Sequence, residues 1–302
     1  MAESVLVTGA TGLVGRRLVV RLLRAGVAVR ALSRSPARAG LPAEVEVHGW
    51  DGRDAPARAL AGTRALVHLA GEPVFGGWLS AERKRRIRDS RVLSTRSLAE
   101  ALAALPASDR PEALVCASAV GYYGSRGDEV IDEGEPPGDG FLAGVCIDWE
   151  QAAARAEHAG VRSVSLRIGI VLAAEGGALA AMRLPFSLGL GARLGDGRQW
   201  MPWIHVDDVV GLAIAAIDGK VYRGPVNAVA PNPVTNREFT AALARALGRP
   251  AFLRAPSAAL RLLGEDVAGE LLASRRVAPR AAHDQGFAFA HPELPGALAA
   301  EL

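Results

Sequence analysis

Residues 4–15 read Ser-Val-Leu-Val-Thr-Gly-Ala-Thr-Gly-Leu-Val-Gly, and their reading decides the fold. A short apolar run over 4–8 meets glycines at 9, 12 and 15, after which Val14, Leu18 and Leu22 recur at helical spacing. Gly26 stands where that helix should stop, and 27–33 reads as a second strand. Strand, glycine turn and helix in this order form a dinucleotide site. Gly9 permits the tight turn, Gly12 lets the backbone approach a pyrophosphate, and Gly15 allows close packing of the helix. Thr11, Leu13 and Val14 lie where the free amide groups and positive dipole end of the helix favour an anion, so backbone is the expected phosphate ligand.

The second strand ends in Ala31-Leu32-Ser33-Arg34, at the position where an NAD site places an acid to grip the ribose hydroxyls. Ser33 can bond a 2′-phosphate and Arg34 can pair with it bidentately, with Arg38 nearby in sequence. The cofactor expected is therefore NADP.

Further along the chain, strand-like runs at 45–48, 65–70, 113–118 and 163–168 alternate with helical patterns, among them 80–105 and 148–158. Such alternation predicts an α/β fold, a doubly wound parallel sheet with ligand at the carboxyl ends of its strands. Beyond residue 172 glycine and proline become frequent. The expected division is a nucleotide-binding core over 1–172 and a smaller C-terminal substrate lobe over 173–302, interleaved with returns to the core.

Composition excludes other classes. The chain has 302 residues, half of them hydrophobic, and 35 basic against 32 acidic residues give a net charge of +3. That balance points to neither nucleic acid nor an anionic membrane. The basic run 83–91 has its apolar and small positions at 87, 92, 95 and 98, which leaves most of its arginines on a solvated helix face. Cys116 and Cys146, the only cysteines, fall in an expected strand and an expected helix, so a reducing cytoplasm fits better than a disulfide framework. No secretory leader is expected, and no apolar run reaches the ~18 residues of a membrane span. The partners expected are a small-molecule substrate and, at most, a second copy forming a homodimer.

Several motifs together resemble an extended short-chain dehydrogenase/reductase, in particular the YfcH-like branch of the NAD-dependent epimerase/dehydratase family. They are TGATGLVG at 8–15, HLAGE at 68–72, DSRVLSTRSL at 89–98, SAVGYYG at 118–124, LRIGIVL at 166–172, MPWIHVDDVV at 201–210 and GFAFAHPEL at 286–294. The resemblance spans the chain and implies an NADP-binding Rossmann core whose C-terminal lobe lines a substrate cleft. It also implies that Leu69 and Ala70 touch the dinucleotide, that Gly71 allows its close approach, that Arg86 and Arg91 turn toward it, and that Val171 belongs to the same site. His68, flanked by apolar residues, reads as structural.

Chemistry is the harder half. Related enzymes use a Tyr-x-x-x-Lys pair, and with only three tyrosines and two lysines the search is exhaustive: four residues after Tyr122 and Tyr123 come Arg126 and Gly127, and Tyr222 has no such partner. The helix that normally carries the pair reads Val145-Cys146-Ile147-Asp148-Trp149-Glu150. An unassisted tyrosine, with pKa about 10, is a poor base but can still donate a proton. Tyr123 is thus the candidate general acid, with Ser118 as hydrogen-bond partner for a carbonyl; packing at a strand end accounts for the tyrosines equally well. No metal is expected at His205-Val206-Asp207-Asp208, because no second cluster supports it by spacing. The functional expectation is an NADP(H)-dependent oxidoreductase acting on a small carbonyl or sugar-like substrate. A non-catalytic NADP(H) sensor or scaffold and a nucleotide-sugar epimerase or dehydratase are the alternatives.

Overall fold

The computed structural model describes residues 4–74, 77–262 and 264–302. Seven parallel strands form the central sheet: β1 (Ser4–Thr8), β2 (Ala28–Ser33), β3 (Glu46–Gly49), β4 (Thr63–His68), β5 (Ala113–Ala119), β6 (Arg162–Ile168) and β7 (Gly224–Ala228). Their spatial order is β7-β6-β5-β4-β1-β2-β3. The order reverses beside β1, so a crevice opens at the carboxyl ends of β1 and β4, where ligands of such sheets bind.

Alternation along the strands feeds two apolar layers. Val5 and Val7 of β1 face α1 (Leu13–Arg24), with Leu18, Val19 and Leu22 buried against them. Leu6 faces the opposite layer, formed by α2 (Ala81–Ala104) and α3 (Phe141–Ala154) with Val92, Leu98, Leu102 and Trp149. Ser80 caps α2 by accepting from the Arg83 amide. The helix to which 148–158 was expected to belong runs from Phe141, after Gly140, to Ala154, and 155–159 continue it as a tighter 3-10 turn.

After β6 the chain builds α4 (Gly177–Ser187), then returns to the core with α5 (Val206–Asp218), which packs on the α1 side of the sheet, and with β7. Further helices of eight residues or more are α6 (Asn236–Ala246), α7 (Glu265–Leu272) and α8 (Leu294–Glu301). Leu172, Leu179, Phe186, Trp203, Phe239, Leu243 and Leu298 form a separate apolar cluster for the C-terminal part. Among the described residues no helix is long and apolar enough to cross a membrane.

Candidate functional site

The glycine turn is held by its own backbone. Gly9 has φ +67°, and a Cβ there would lie 2.6 Å from the Leu69 carbonyl carbon and 2.7 Å from the Ala70 nitrogen. Gly15 is closed in the same way, 2.2 Å from the Gly9 oxygen. Gly12 differs: at φ −80° it tolerates any side chain conformationally, and its Cβ would meet only the Gly9 oxygen, at 3.2 Å. The space it leaves open is the ligand side of the turn. Gly12 is also the N-cap of α1, with no side-chain cap and no acid in the first turn, so the leading amides of α1 keep their capacity for an anion. Thr11, Gly12 and Leu13 line one end of a groove of about 660 Å³ that continues along the outside of α1 past Arg16, Val20 and Arg24. Only the turn end of that groove belongs to the crevice. Leu13 also meets Gly177, whose Cβ would lie 3.2 Å from a Leu13 methyl and 3.7 Å from the Val171 oxygen. Leu13, Val14, Leu69, Ala70 and Val171, far apart in sequence, therefore surround one turn.

At the end of β2, the Ser33 hydroxyl accepts from the Ser35 amide at 3.2 Å, and Arg34 and Arg38 are exposed. Arg16 reaches over from α1, donating to Thr11 O at 2.9 Å and Gly40 O at 3.0 Å. Arg34 and Arg38 thus follow the strand end expected to select a 2′-phosphate, and Arg16 bridges the glycine turn to Gly40 just beyond them.

Beneath the crevice runs a directed hydrogen-bond chain. The Ala70 amide donates to Thr8 Oγ1 at 3.3 Å, and Thr8 Oγ1 lies 2.6 Å from His68 Nδ1. On the far side His68 Nε2 lies 3.1 Å from Ser94 Oγ, which itself donates to Ser90 O at 2.7 Å. With the Ser94 proton engaged, the network assigns His68 the Nε2–H tautomer, so Thr8 donates to Nδ1. Burial pushes the His68 pKa down to about 3, with Arg91 adding in the same direction. His68 is a neutral structural bridge.

Arg91 is tucked against the loop after β4, with its guanidinium carbon 3.1 Å from where a Gly71 Cβ would stand, and it donates to Glu72 O at 2.9 Å. Burial lowers its pKa. Arg86, a turn and a half earlier on α2, is more than half exposed and pairs with Glu82 at 2.7 Å. Of the two arginines assigned to the cofactor, only Arg91 reaches the crevice in this structure.

At the end of β5 the arrangement is closed. Ser118 Oγ donates to Glu150 Oε1 at 2.6 Å, and Arg167 of β6 clamps the same carboxylate through Nε at 2.9 Å and Nη2 at 2.8 Å. Arg167 Nη1 donates to the Tyr123 hydroxyl at 2.8 Å, and that hydroxyl donates to Asn227 Oδ1 at 2.7 Å. The Arg167 guanidinium also lies 3.5 Å from the Tyr122 ring centroid. Burial opposes the Arg167 charge, but Glu150 and Tyr123 outweigh it and hold its pKa above the ordinary value. Burial also pushes the Tyr123 phenol up to about 12.

These contacts bear on two expectations. Tyr123 is fully buried and its hydroxyl both gives and receives a hydrogen bond, so it does not present a proton to a ligand in this arrangement. Ser118 has committed its proton to Glu150, so toward a ligand its oxygen accepts and does not donate to a carbonyl. Glu150, Arg167 and Asn227 were missed as a unit. The available signal was the arginine at the second position of the apolar run LRIGIVL, because a charge buried in an interior strand demands a carboxylate, and the helix lacking the Tyr-Lys pair carries one. Cys146, one turn before Glu150 on α3, directs its thiol to Ala119 O at 3.6 Å, and burial raises its pKa to about 11.

A second cavity, of about 220 Å³, lies between the start of α3 and α7, lined among others by Gly121, Gly140, Phe141, Asp266, Gly269 and Arg275. Its lining combines residues 121–143 with residues 266–275 of the C-terminal part of the chain. On the other side of the molecule His291 stacks on His205 with centroids 3.7 Å apart, and Asp207 brings a carboxylate within 4.8 Å of both. Sequence spacing hid this partner, which lies 86 positions from His205. His205 Nδ1 already accepts from the Asp207 amide at 3.1 Å, and Nε2 faces Glu301 at 3.1 Å. The cluster ties the C-terminal segment to α5.

Residues 5–227 match the NAD dependent epimerase/dehydratase family, and 255–301 match a domain of unknown function, DUF1731. The chain belongs to the NAD dependent epimerase/dehydratase family. An epimerase family protein of Mycobacterium tuberculosis, MT2273, is 42% identical over 99% of this chain and 97% of its own length. The chloroplastic SDR39U1 homolog of Arabidopsis thaliana is 40% identical, covering 98% of this chain and 86% of the relative. Among solved structures, the human epimerase family protein SDR39U1 with NADPH superposes with TM-score 0.88 at 34% identity, over 99% of both chains. A nucleoside-diphosphate sugar epimerase of Corynebacterium glutamicum gives TM-score 0.80 at 36% identity, covering all of this chain and 58% of that one. The matched family segment ends within β7, so it takes in the crevice and the β5 network. The DUF1731 segment contains Arg275, His291 and Glu301, which close the structure from the C-terminal side.

Proposed function

We propose that this epimerase-family protein is an NADP(H)-dependent oxidoreductase of a cytoplasmic compartment, acting on a small carbonyl or sugar-like substrate. The observation that carries the reading is the uncapped start of α1 behind Gly12, facing a crevice whose β2 end holds Ser33 and the exposed Arg34, and no acid. The turn amides of Thr11, Gly12 and Leu13 would hold the pyrophosphate, and Ser33 and Arg34, with Arg16 and Arg38 beside them, the 2′-phosphate. Leu69, Ala70, Gly71 and Val171 would line the ribose and nicotinamide half. NADPH in the human relative supports this choice of cofactor. The bound cofactor would supply or accept hydride; the protein's part is to place it beside Ser118, whose oxygen, with its proton held by Glu150, accepts a hydrogen bond from a substrate hydroxyl.

The saturated Tyr123 and the absent Tyr-Lys pair favour a second reading, a protein that binds NADP(H) without turning it over. One experiment separates the two: NADPH absorbance followed with a panel of small carbonyls and sugar nucleotides, after binding has been established by fluorescence titration. Consumption that depends on one substrate class supports the oxidoreductase. Tight binding with no turnover across the panel overturns it in favour of the sensor, and no binding overturns both.

A further inference from the structure

We infer that the outer end of the C-terminal lobe is a docking surface for an anionic membrane, gripped from one side without being spanned. Leu184 and Leu188 lie one turn apart, the latter just beyond the end of α4, and each is about two-thirds exposed. The Leu190 amide donates back to Pro185 O at 2.9 Å, which folds a third leucine, 57% exposed, onto the same end. The strand Ala192–Leu194 pairs in parallel with Leu253–Ala255, and the register sets Ala192, two residues after Leu190, beside Leu253. There Phe252 is 91% exposed and Leu253 about half exposed. Five large apolar side chains from two distant segments thus converge on one end of the lobe, more than a monomeric surface ordinarily leaves uncovered.

Charge identifies what covers them. Residues 176–195 and 239–256 hold five arginines, at 183, 193, 245, 249 and 254, and no aspartate or glutamate. Glu175, Asp196 and Glu238 directly flank these segments, with Glu265 further on, and the Asp196 carboxyl, held low by the Arg198 amide, also feels the charge of Arg254. In a chain whose total charge is only +3 this is a strong local excess. A second copy bound through the same face would set arginine against arginine, which disfavours it. Neither cavity described above is lined by any of these residues. Protruding leucines and a phenylalanine on segments that carry arginines match a lipid surface, which asks for no shape complementarity: the apolar groups enter the acyl boundary while guanidinium groups remain at the phosphates.

The test is co-sedimentation of the full chain with vesicles of phosphatidylcholine alone and with vesicles containing about one-third phosphatidylglycerol. The expected result is binding to the anionic vesicles only, weakened by salt. It should fall about tenfold or more in Phe252→Asp combined with Leu188→Asp, and likewise in Arg245→Glu combined with Arg249→Glu. Both pairs are exposed, and an unchanged circular dichroism melt shows that the fold persists. Absence of anionic-vesicle binding, or binding that the variants retain, overturns the inference. So does a concentration-dependent dimer abolished by the same substitutions, or soluble polyglutamate binding as tightly as vesicles, which would assign the face to a second copy or to an acidic polypeptide.

Discussion

Two nearby stretches of the sheet's carboxyl edge, the turn after β1 (the open end of the crevice) and the end of β5 (the closed end), separated only by β4, carry the same kinds of groups in opposite states. Around Gly9–Gly15 the polar groups are backbone amides left over by an uncapped helix, and the nearby arginines Arg34 and Arg38 are exposed. Around Ser118, Glu150, Arg167, Tyr123 and Asn227 every polar atom has found a protein partner at 2.6 to 2.9 Å. Open donors make a site that a ligand completes. Closed pairs make a framework that a ligand would have to break, at the high cost of unpairing buried charge.

The largest expected effect is at the closed end. Arg167→Met leaves the Glu150 carboxylate largely buried without its counter-ion and should cost about 3–5 kcal/mol of stability, measured by chemical denaturation. A loss below about 1 kcal/mol would mean that the pair is loosely held and the contrast fails. Next comes the open end. Gly12→Val should weaken NADPH binding by about a hundredfold or more, nearly 3 kcal/mol, with a smaller change in the melting curve, since φ permits a side chain and its Cβ requires only that the Gly9 oxygen, 3.2 Å away, give slightly. Wild-type affinity in that variant would move the nucleotide elsewhere.

Tyr123→Phe sharpens the comparison from the other direction. Removing the hydroxyl deprives Asn227 Oδ1 of a donor and Arg167 Nη1 of an acceptor, which should cost about 1–3 kcal/mol while NADPH affinity holds. A variant as stable as wild type that loses tenfold or more in turnover would restore Tyr123 to the chemistry. The smallest effect is expected for Arg34→Ala. It should reduce the preference for NADPH over NADH by about tenfold, or 1.4 kcal/mol, read from paired fluorescence titrations. An unchanged preference would pass the selecting role to Arg16 or Arg38.

The open end was legible because it is local: a strand, three glycines and a helix lie within Ser4–Arg24, and their spacing carries the geometry. Gly9 packing on Leu69 and Ala70 was not legible, since no local rule joins residues 60 positions apart; the family resemblance implied only that those two touch the dinucleotide. The closed end was illegible for a related reason. Ser118, Glu150, Arg167 and Asn227 come from β5, α3, β6 and β7, and only the strand order makes them neighbours. A sequence shows that Tyr123 can donate a proton, but not that Asn227 already receives it. The stacked His205 and His291 repeat the point, for the second ring arrives from beyond α7.

The chain from Ala70 through Thr8 and His68 to Ser94 points one way throughout, and that gives the protein a spectroscopic reporter of its own. A buried imidazole with a fixed tautomer has two ring nitrogens with widely separated magnetic-resonance frequencies, and a pKa near 3 keeps them from blurring by exchange at any ordinary pH. Because the first donor in the chain is the amide of Ala70, at the lip of the crevice, any ligand that tightens or loosens that amide alters the pull on Thr8 and hence on His68 Nδ1. Nitrogen-15 labelling of histidine alone would therefore register events in the crevice from beneath it, with no probe attached and no residue changed.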